Sequence, residues 1–232
     1  MQTLRNSILA SFVLIPVLVL AGCQKGGDST QPTAAVAGSG GEKADPHAAA
    51  TTETAVKSDQ DPQHPIYEFE TSQGKFIVRM DAEKAPLTVD NFRTYVARGH
   101  YDLTIFHQVL KGSLQIVLGG GYTADLKEKA MLTPIRNEAH NGLKNRRGTI
   151  AMARRPNDED SATCQFFINM ADNDVLNFKA RTPEGYGYCV FGEVTEGMDV
   201  LDRIAKTPVH DTGKFVGLPT ETIVIRSIRQ IK

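Results

Sequence analysis

Three stretches with unlike patterns follow one another along the chain. Ile8 to Leu20 is apolar almost without a break, and Gln24 to Pro65 has almost no aliphatic or aromatic side chain. From Ile66 onward, short apolar–polar alternations recur to the end. Ile66-Tyr67-Glu68-Phe69-Glu70 alternates, Ser72-Gln73-Gly74 supplies a turn, and Lys75-Phe76-Ile77-Val78-Arg79-Met80 follows, which predicts a β-hairpin. Ala85-Pro86-Leu87 opens a helix with Pro near its start; Val89, Phe92 and Val96 share one face, and Gly99 closes it. A second helix is predicted near Met198 to Ala205, with Met198, Leu201 and Ile204 on one face. Further strands are predicted over Thr104–Val109, Thr149–Ala153, Gln165–Met170, Tyr188–Val194 and Thr222–Ile228. Many short strands, two helices and Gly/Asn-rich connections predict a mainly β fold, a closed barrel capped by helices, with no internal repeat.

The first stretch reads as an address. Met1 to Arg5 carries one positive side chain ahead of an apolar run of 13 residues. A spanning helix needs roughly 20 apolar residues, so the run fits the core of a signal peptide, and Pro16 weakens a span further. It ends in Leu20-Ala21-Gly22-Cys23, which resembles a lipobox, the cleavage and acylation signal of bacterial lipoproteins. Small residues at 21 and 22 admit a peptidase, and the Cys23 thiol is the nucleophile for acylation. The expected organisation is a lipoprotein signal peptide over 1–22, a lipidated Cys23 and flexible tether over 23–65, and one folded domain over 66–232. A Gly-rich coil of the tether's length would reach roughly 35–40 Å. The expected location is extracytoplasmic, lipid-anchored to a bacterial membrane. Gln24 after the acylated Cys points to the periplasmic face of the outer membrane where the cell has one.

Composition narrows the chemistry. Lys and Arg number 26 against 27 Asp and Glu, which gives no electrostatic reason to expect nucleic-acid binding. Three Cys are too few for a disulfide-built scaffold. No G-x-G-x-x-G, Walker loop or G-x-S-x-G elbow occurs. The six His show no H-x-x-x-H spacing and no Cys-x-x-Cys accompanies them, so no metal and no cofactor is expected. Read alone, His107 is a core histidine, Phe167 and Leu176 are core packing, and Arg154-Arg155 is solvated surface. Cys164 and Cys189 read as buried thiols, with a disulfide between them left open.

A longer string of residues changes that picture. Thr104-Ile105-Phe106-His107, Gly119-Gly120-Gly121-Tyr122, Ile135-Arg136-Asn137-Glu138-Ala139 and Asn141-Gly142-Leu143-Lys144-Asn145 occur in order. Arg147-Gly148-Thr149-Ile150-Ala151-Met152-Ala153-Arg154, Ser161-Ala162-Thr163-Cys164-Gln165-Phe166-Phe167-Ile168-Asn169 and Tyr188-Cys189-Val190-Phe191-Gly192 follow. The string, over about Ile66 to Lys232, resembles the bacterial cyclophilins, a family of peptidyl-prolyl cis-trans isomerases. The resemblance implies a closed eight-stranded antiparallel barrel capped by two helices, with a substrate groove on its outer face. It implies that Phe167 lines the floor of a proline slot with Leu176 and Met152 nearby, and that Gln165 holds the substrate backbone. It also implies that Ala153 and Arg154 present main-chain groups to the residue before proline, that Tyr188 forms a slot wall, and that His107 lies at the substrate site. The partners it implies are Pro-containing polypeptides; a monomer is expected.

Two departures from the family pattern sit at the slot. Gln108 stands where the family has the Arg credited with stabilising the twisted amide. The stretch Gly112-Ser113-Leu114-Gln115-Ile116-Val117-Leu118 is two residues longer than usual and ends in Leu118 where the family has Gln. Val175 stands where some members carry a Trp important for cyclosporin binding. The expected function is therefore prolyl isomerisation that assists folding of exported proteins at the membrane surface. Gln108, Gln165 and Phe167 are the catalytic set, and the rate is reduced by the uncharged Gln108. The alternative is a catalytically weak or inactive module of the same fold that binds Pro-containing segments or a protein partner.

Overall fold

The structure, a computed structural model, describes residues 61–232, so the signal segment, Cys23 and most of the tether lie outside the described residues. The alternation read from the sequence forms strands β1 (Ile66–Thr71) and β2 (Gly74–Met80), paired in register from Ile66 with Arg79 to Thr71 with Gly74. Tyr67, Phe69, Phe76, Val78 and Met80 are the buried members of that alternation. The domain begins slightly before Ile66: Pro65 and Gln63 carbonyls accept hydrogen bonds from the Met80 and Ala82 amides.

Helix α1 (Pro86–Ala97) starts with Pro, as expected, but no local side chain caps it. Glu138 does so from 50 residues away, accepting from the Leu87 and Thr88 amides and the Thr88 hydroxyl. A carboxylate at a helix N-terminus satisfies orphan amides and meets the positive end of the helix dipole. The remaining strands are β3 (Thr104–Lys111), β4 (Gln115–Thr123), β5 (Thr149–Met152), β6 (Phe166–Asn169), β7 (Val190–Glu196), β8 (Val209–Thr212), β9 (Phe215–Pro219) and β10 (Ile223–Gln230). Helix α2 spans Met198–Lys206.

Eight strands close an antiparallel barrel in the order β1-β10-β3-β4-β6-β5-β7-β2, while β8 and β9 form a separate hairpin. Ring edges and faces of Phe69, Phe92, Tyr101, Phe166 and Phe191 fill its interior. Val200, Leu201 and Ile204 of α2 join the same core. Burying each such side chain contributes about 1.5–3 kcal/mol. Strand β4 and the β8–β9 hairpin lie where the sequence predicted no strand. In the Gly112–Leu118 stretch, Gln115 to Leu118 pair without a bulge against Lys111 to Gln108, leaving Gly112-Ser113-Leu114 as the hairpin turn.

Candidate active site

Register fixes which side chains share the outer face. Gln108 on β3 pairs with Leu118 on β4, Leu118 pairs with Phe167 on β6, Phe167 pairs with Ala151 on β5, and Ala151 pairs with Val190 on β7. Directly paired residues point to one side of a sheet, so these five form a row across the barrel wall. Ile116, Leu118, Ala151, Phe167, Leu176 and Val190 make a second apolar cluster, separate from the interior core, with Leu114, Ala153 and Tyr188 packed against it.

The expected slot residues divide on this geometry. Gln108, Phe167, Leu176, Ala153 and Tyr188 come together on the outer face, and Gln165, two residues before Phe167, shares it. The Gln165 side chain lies across Gly121, where a Cβ would stand 2.6 Å from its Cγ. Met152 is a correction: it pairs with Phe166 and belongs to the interior core, so Ala151 is the β5 residue beside Phe167. His107 is the extra residue of a β-bulge between the Phe106–Gly119 and Gln108–Leu118 pairs. It lies buried outside the cluster, ring to ring with Tyr122 at 4.7 Å and Phe215 at 6.1 Å. Burial lowers its pKa to about 4 and keeps it neutral.

Long-range contacts hold the wall in place. Tyr188 meets Phe167 edge to face at 5.7 Å, and the Arg154 guanidinium lies 4.9 Å from the Tyr188 ring centre. Arg154 is not solvated surface: its Nε donates to the Gly187 carbonyl, and its terminal nitrogens donate to the Pro183 and Arg155 carbonyls. Those bonds use the guanidinium structurally, so it does not stand in for the missing Arg at 108. Arg155 pairs instead with Asp158. Below, Asn145 donates to the Leu176 and Tyr188 carbonyls and accepts from Asn169, which in turn accepts from Asn173. This buried amide chain fixes Leu176 and Tyr188 from behind.

Gln108 ends the row. Its Nε2 donates to the Val216 carbonyl at 2.9 Å, which leaves the amide's second N–H for another acceptor. The slot itself is closely filled, with Phe167 2% exposed and Leu118 and Leu176 each 8%. Val175 stands out from the wall at 63% exposure. Cys164 and Cys189 are both free and buried, with no disulfide between them, and burial raises their thiol pKa values to about 11 and about 12.

An apolar floor, an aromatic wall and an amide donor on the outside of a closed barrel define a class of protein that grips an extended peptide. The comparisons make that class specific. The profile of the family described as "Cyclophilin type peptidyl-prolyl cis-trans isomerase/CLD" matches residues 66–230. A Streptomyces antibioticus peptidyl-prolyl cis-trans isomerase is 47% identical over 162 residues, covering 70% of this chain and 96% of that protein. Peptidyl-prolyl cis-trans isomerase B of Escherichia coli K12 is 47% identical over 160 residues, 69% of this chain and 96% of its own. A Cryptosporidium parvum cyclophilin-type isomerase structure superposes with a TM-score of 0.59 at 24% identity, over 73% of this chain and 98% of that one. The same protein has been solved in the presence of the dipeptide Ala-Pro. The chain belongs to the cyclophilin-type peptidyl-prolyl cis-trans isomerases, and it is an enzyme of that activity.

Proposed function

We propose that the protein isomerises X-Pro bonds of exported polypeptides from a lipid anchor at Cys23, as a monomer and at a reduced rate. The support for a membrane-anchored role is the lipobox-like Leu20-Ala21-Gly22-Cys23 after an apolar run, followed by a tether without core-forming residues. The reaction needs no nucleophile. An X-Pro bond crosses a barrier of roughly 18–20 kcal/mol, and the twisted amide at its top has lost resonance. The proline nitrogen then carries a lone pair that the planar ground state lacks. A donor aimed at it stabilises the transition state alone, which is what accelerates a step.

The chain's own groups supply that differential binding. The pyrrolidine ring rests on Phe167 between Leu176, Leu118 and Tyr188. The Ala153 amide is taken by the Gln165 carbonyl, so the Ala153 carbonyl and the Arg154 amide serve the residue before proline. The second Nε2–H of Gln108 meets the proline nitrogen. The observation that carries this reading is the register row that puts Gln108 and Phe167 on one face. The Ala-Pro dipeptide used with the Cryptosporidium parvum protein is a ligand of the same chemistry.

NMR exchange spectroscopy on a Pro-containing peptide with micromolar purified protein tests it. Cis–trans exchange faster than buffer, abolished by Phe167→Ala, is expected; exchange at the buffer rate overturns it. The close filling of the slot favours a second reading, a weakly catalytic module that holds Pro-containing segments. That reading gives saturable binding without faster exchange in the same titration. Mass spectrometry of the membrane-extracted protein tests the anchor, which requires acyl chains on Cys23.

A further inference from the structure

The β8–β9 hairpin stands outside the barrel ladder, yet it touches the site at its most sensitive point. β9 approaches β3 closely because Gly217 has φ +69°, and a Cβ there would lie 2.7 Å from the Val109 carbonyl oxygen. That approach brings the Val216 carbonyl onto the Gln108 amide. The hairpin is itself irregular: its register shifts between His210 and Thr212, so Val216 and Gly217 form a bulge on β9 opposite Asp211 alone. The bulge leaves the Gly217 amide without a ladder partner, and the Asp211 carboxylate accepts it at 2.8 Å. Phe215 seats the hairpin against Tyr122 at 5.1 Å and against His107, while Lys214 covers the Tyr122 and Phe215 rings.

We propose that Asp211 is a positioning residue for isomerisation, holding the Gly217 amide so that the Val216 carbonyl orients the Gln108 donor. A primary amide can present either its oxygen or its nitrogen to the slot, and only the nitrogen donates. An acceptor fixed on one side of Gln108 selects the orientation in which the remaining N–H faces the proline nitrogen. Asp211 is exposed and its carboxylate bonds the Gly217 amide, next to the Val216 carbonyl that holds Gln108, so its influence is expected to pass through Gln108. This rests on the reading of Gln108 as the donor.

A double-mutant cycle on the purified protein tests it, with peptide exchange rates giving kcat and KM. Asp211→Ala is expected to lower kcat about fivefold, the worth of roughly one hydrogen bond, with KM little changed. Asp211→Asn keeps an oxygen acceptor and restores most of the rate. In a Gln108→Ala background, Asp211→Ala has no further effect. The Gln108 side-chain amide resonances shift in Asp211→Ala, an effect a merely structural loss elsewhere would not cause. Gly217→Ala, which pushes β9 off β3, gives the same pattern. Equal losses from Asp211→Ala with and without Gln108, or no loss at all, overturn the hairpin's role while leaving Gln108 as donor. A parental rate in Gln108→Ala alone overturns the donor reading and this proposal together.

Discussion

Gln108→Arg is the substitution that most directly measures what this site lacks. Gln108 is nearly buried at the end of the row, opposite Leu118, with one N–H committed to the Val216 carbonyl. A guanidinium has five donors in a fixed fork, so it can keep the Val216 bond and aim a second N–H at the proline nitrogen. A hydrogen bond to a charged group contributes about 1.5–3 kcal/mol against about 1 for a neutral pair. The difference, about 1–2 kcal/mol felt only in the twisted state, corresponds to roughly a 5–30-fold rise in kcat. Lys214, over the neighbouring Tyr122 ring, trims the gain by like-charge repulsion. Exchange spectroscopy on one Pro peptide, with thermal unfolding to confirm the fold, reads the effect. Gln108→Lys should gain less, because a single ammonium point charge does not reproduce the fork. A folded Gln108→Arg protein no faster than its parent would show that position 108 does not face the reacting nitrogen.

Arg154→Ala should lower kcat/KM about three- to tenfold, chiefly through KM, because it frees the 183–188 loop and the Tyr188 wall; an unchanged KM would refute the clamp. His107 makes the fold acid-sensitive. Its folded pKa of about 4 lies below the ordinary value of 6.5, so the unfolded chain binds a proton first as pH falls. Stability from His107 is therefore full above pH ~6.5 and declines by about 3 kcal/mol toward pH ~4. Urea unfolding of His107→Phe across that window should show a flatter slope, and an unchanged slope would count against it. Alkylation of the native protein should leave Cys164 and Cys189 unlabelled, since burial keeps both as thiols, with labelling only after denaturation.

The helices and the β1–β2 hairpin were legible because their apolar spacing is local and has one period. β5 was not legible in the same way. Ile150, Ala151 and Met152 are all apolar, so alternation carries no parity, and only pairing with Phe166 and Phe167 decides that Met152 faces inward. The glycines of β4 read as a loop, since Gly has low strand propensity. They are strand residues here because neighbours come too close for a side chain: a Cβ on Gly119 would lie 2.7 Å from the Phe106 ring. The partners that matter most at the site are also distant in sequence. Glu138 caps α1 from 50 residues away, and Val216 orients Gln108 from 108 residues away. No window along the chain contains either pair.

Internal hydrogen bonding also limits what the slot can recognise. The Arg154 guanidinium, the Ala153 amide and the Asn145 and Asn173 amides are all bonded within the chain. What remains for a substrate is an apolar floor and a few amide and carbonyl groups. Such a site distinguishes proline by the shape of its ring and holds its neighbours by backbone, with little to select among their side chains. An unpaired buried charge would have imposed selection, because a mismatched partner leaves it unsatisfied at several kcal/mol. Gln108, at the end of the row, brings no such charge to the slot. An uncharged donor stabilises the twisted state less than a charged one would, and it also imposes a smaller penalty against unfamiliar flanking sequences. Gln108→Arg should therefore narrow the range of accepted peptides as it speeds the best of them. Exchange rates over a panel of X-Pro peptides measure both effects at once, and a uniform gain across the panel would contradict the trade.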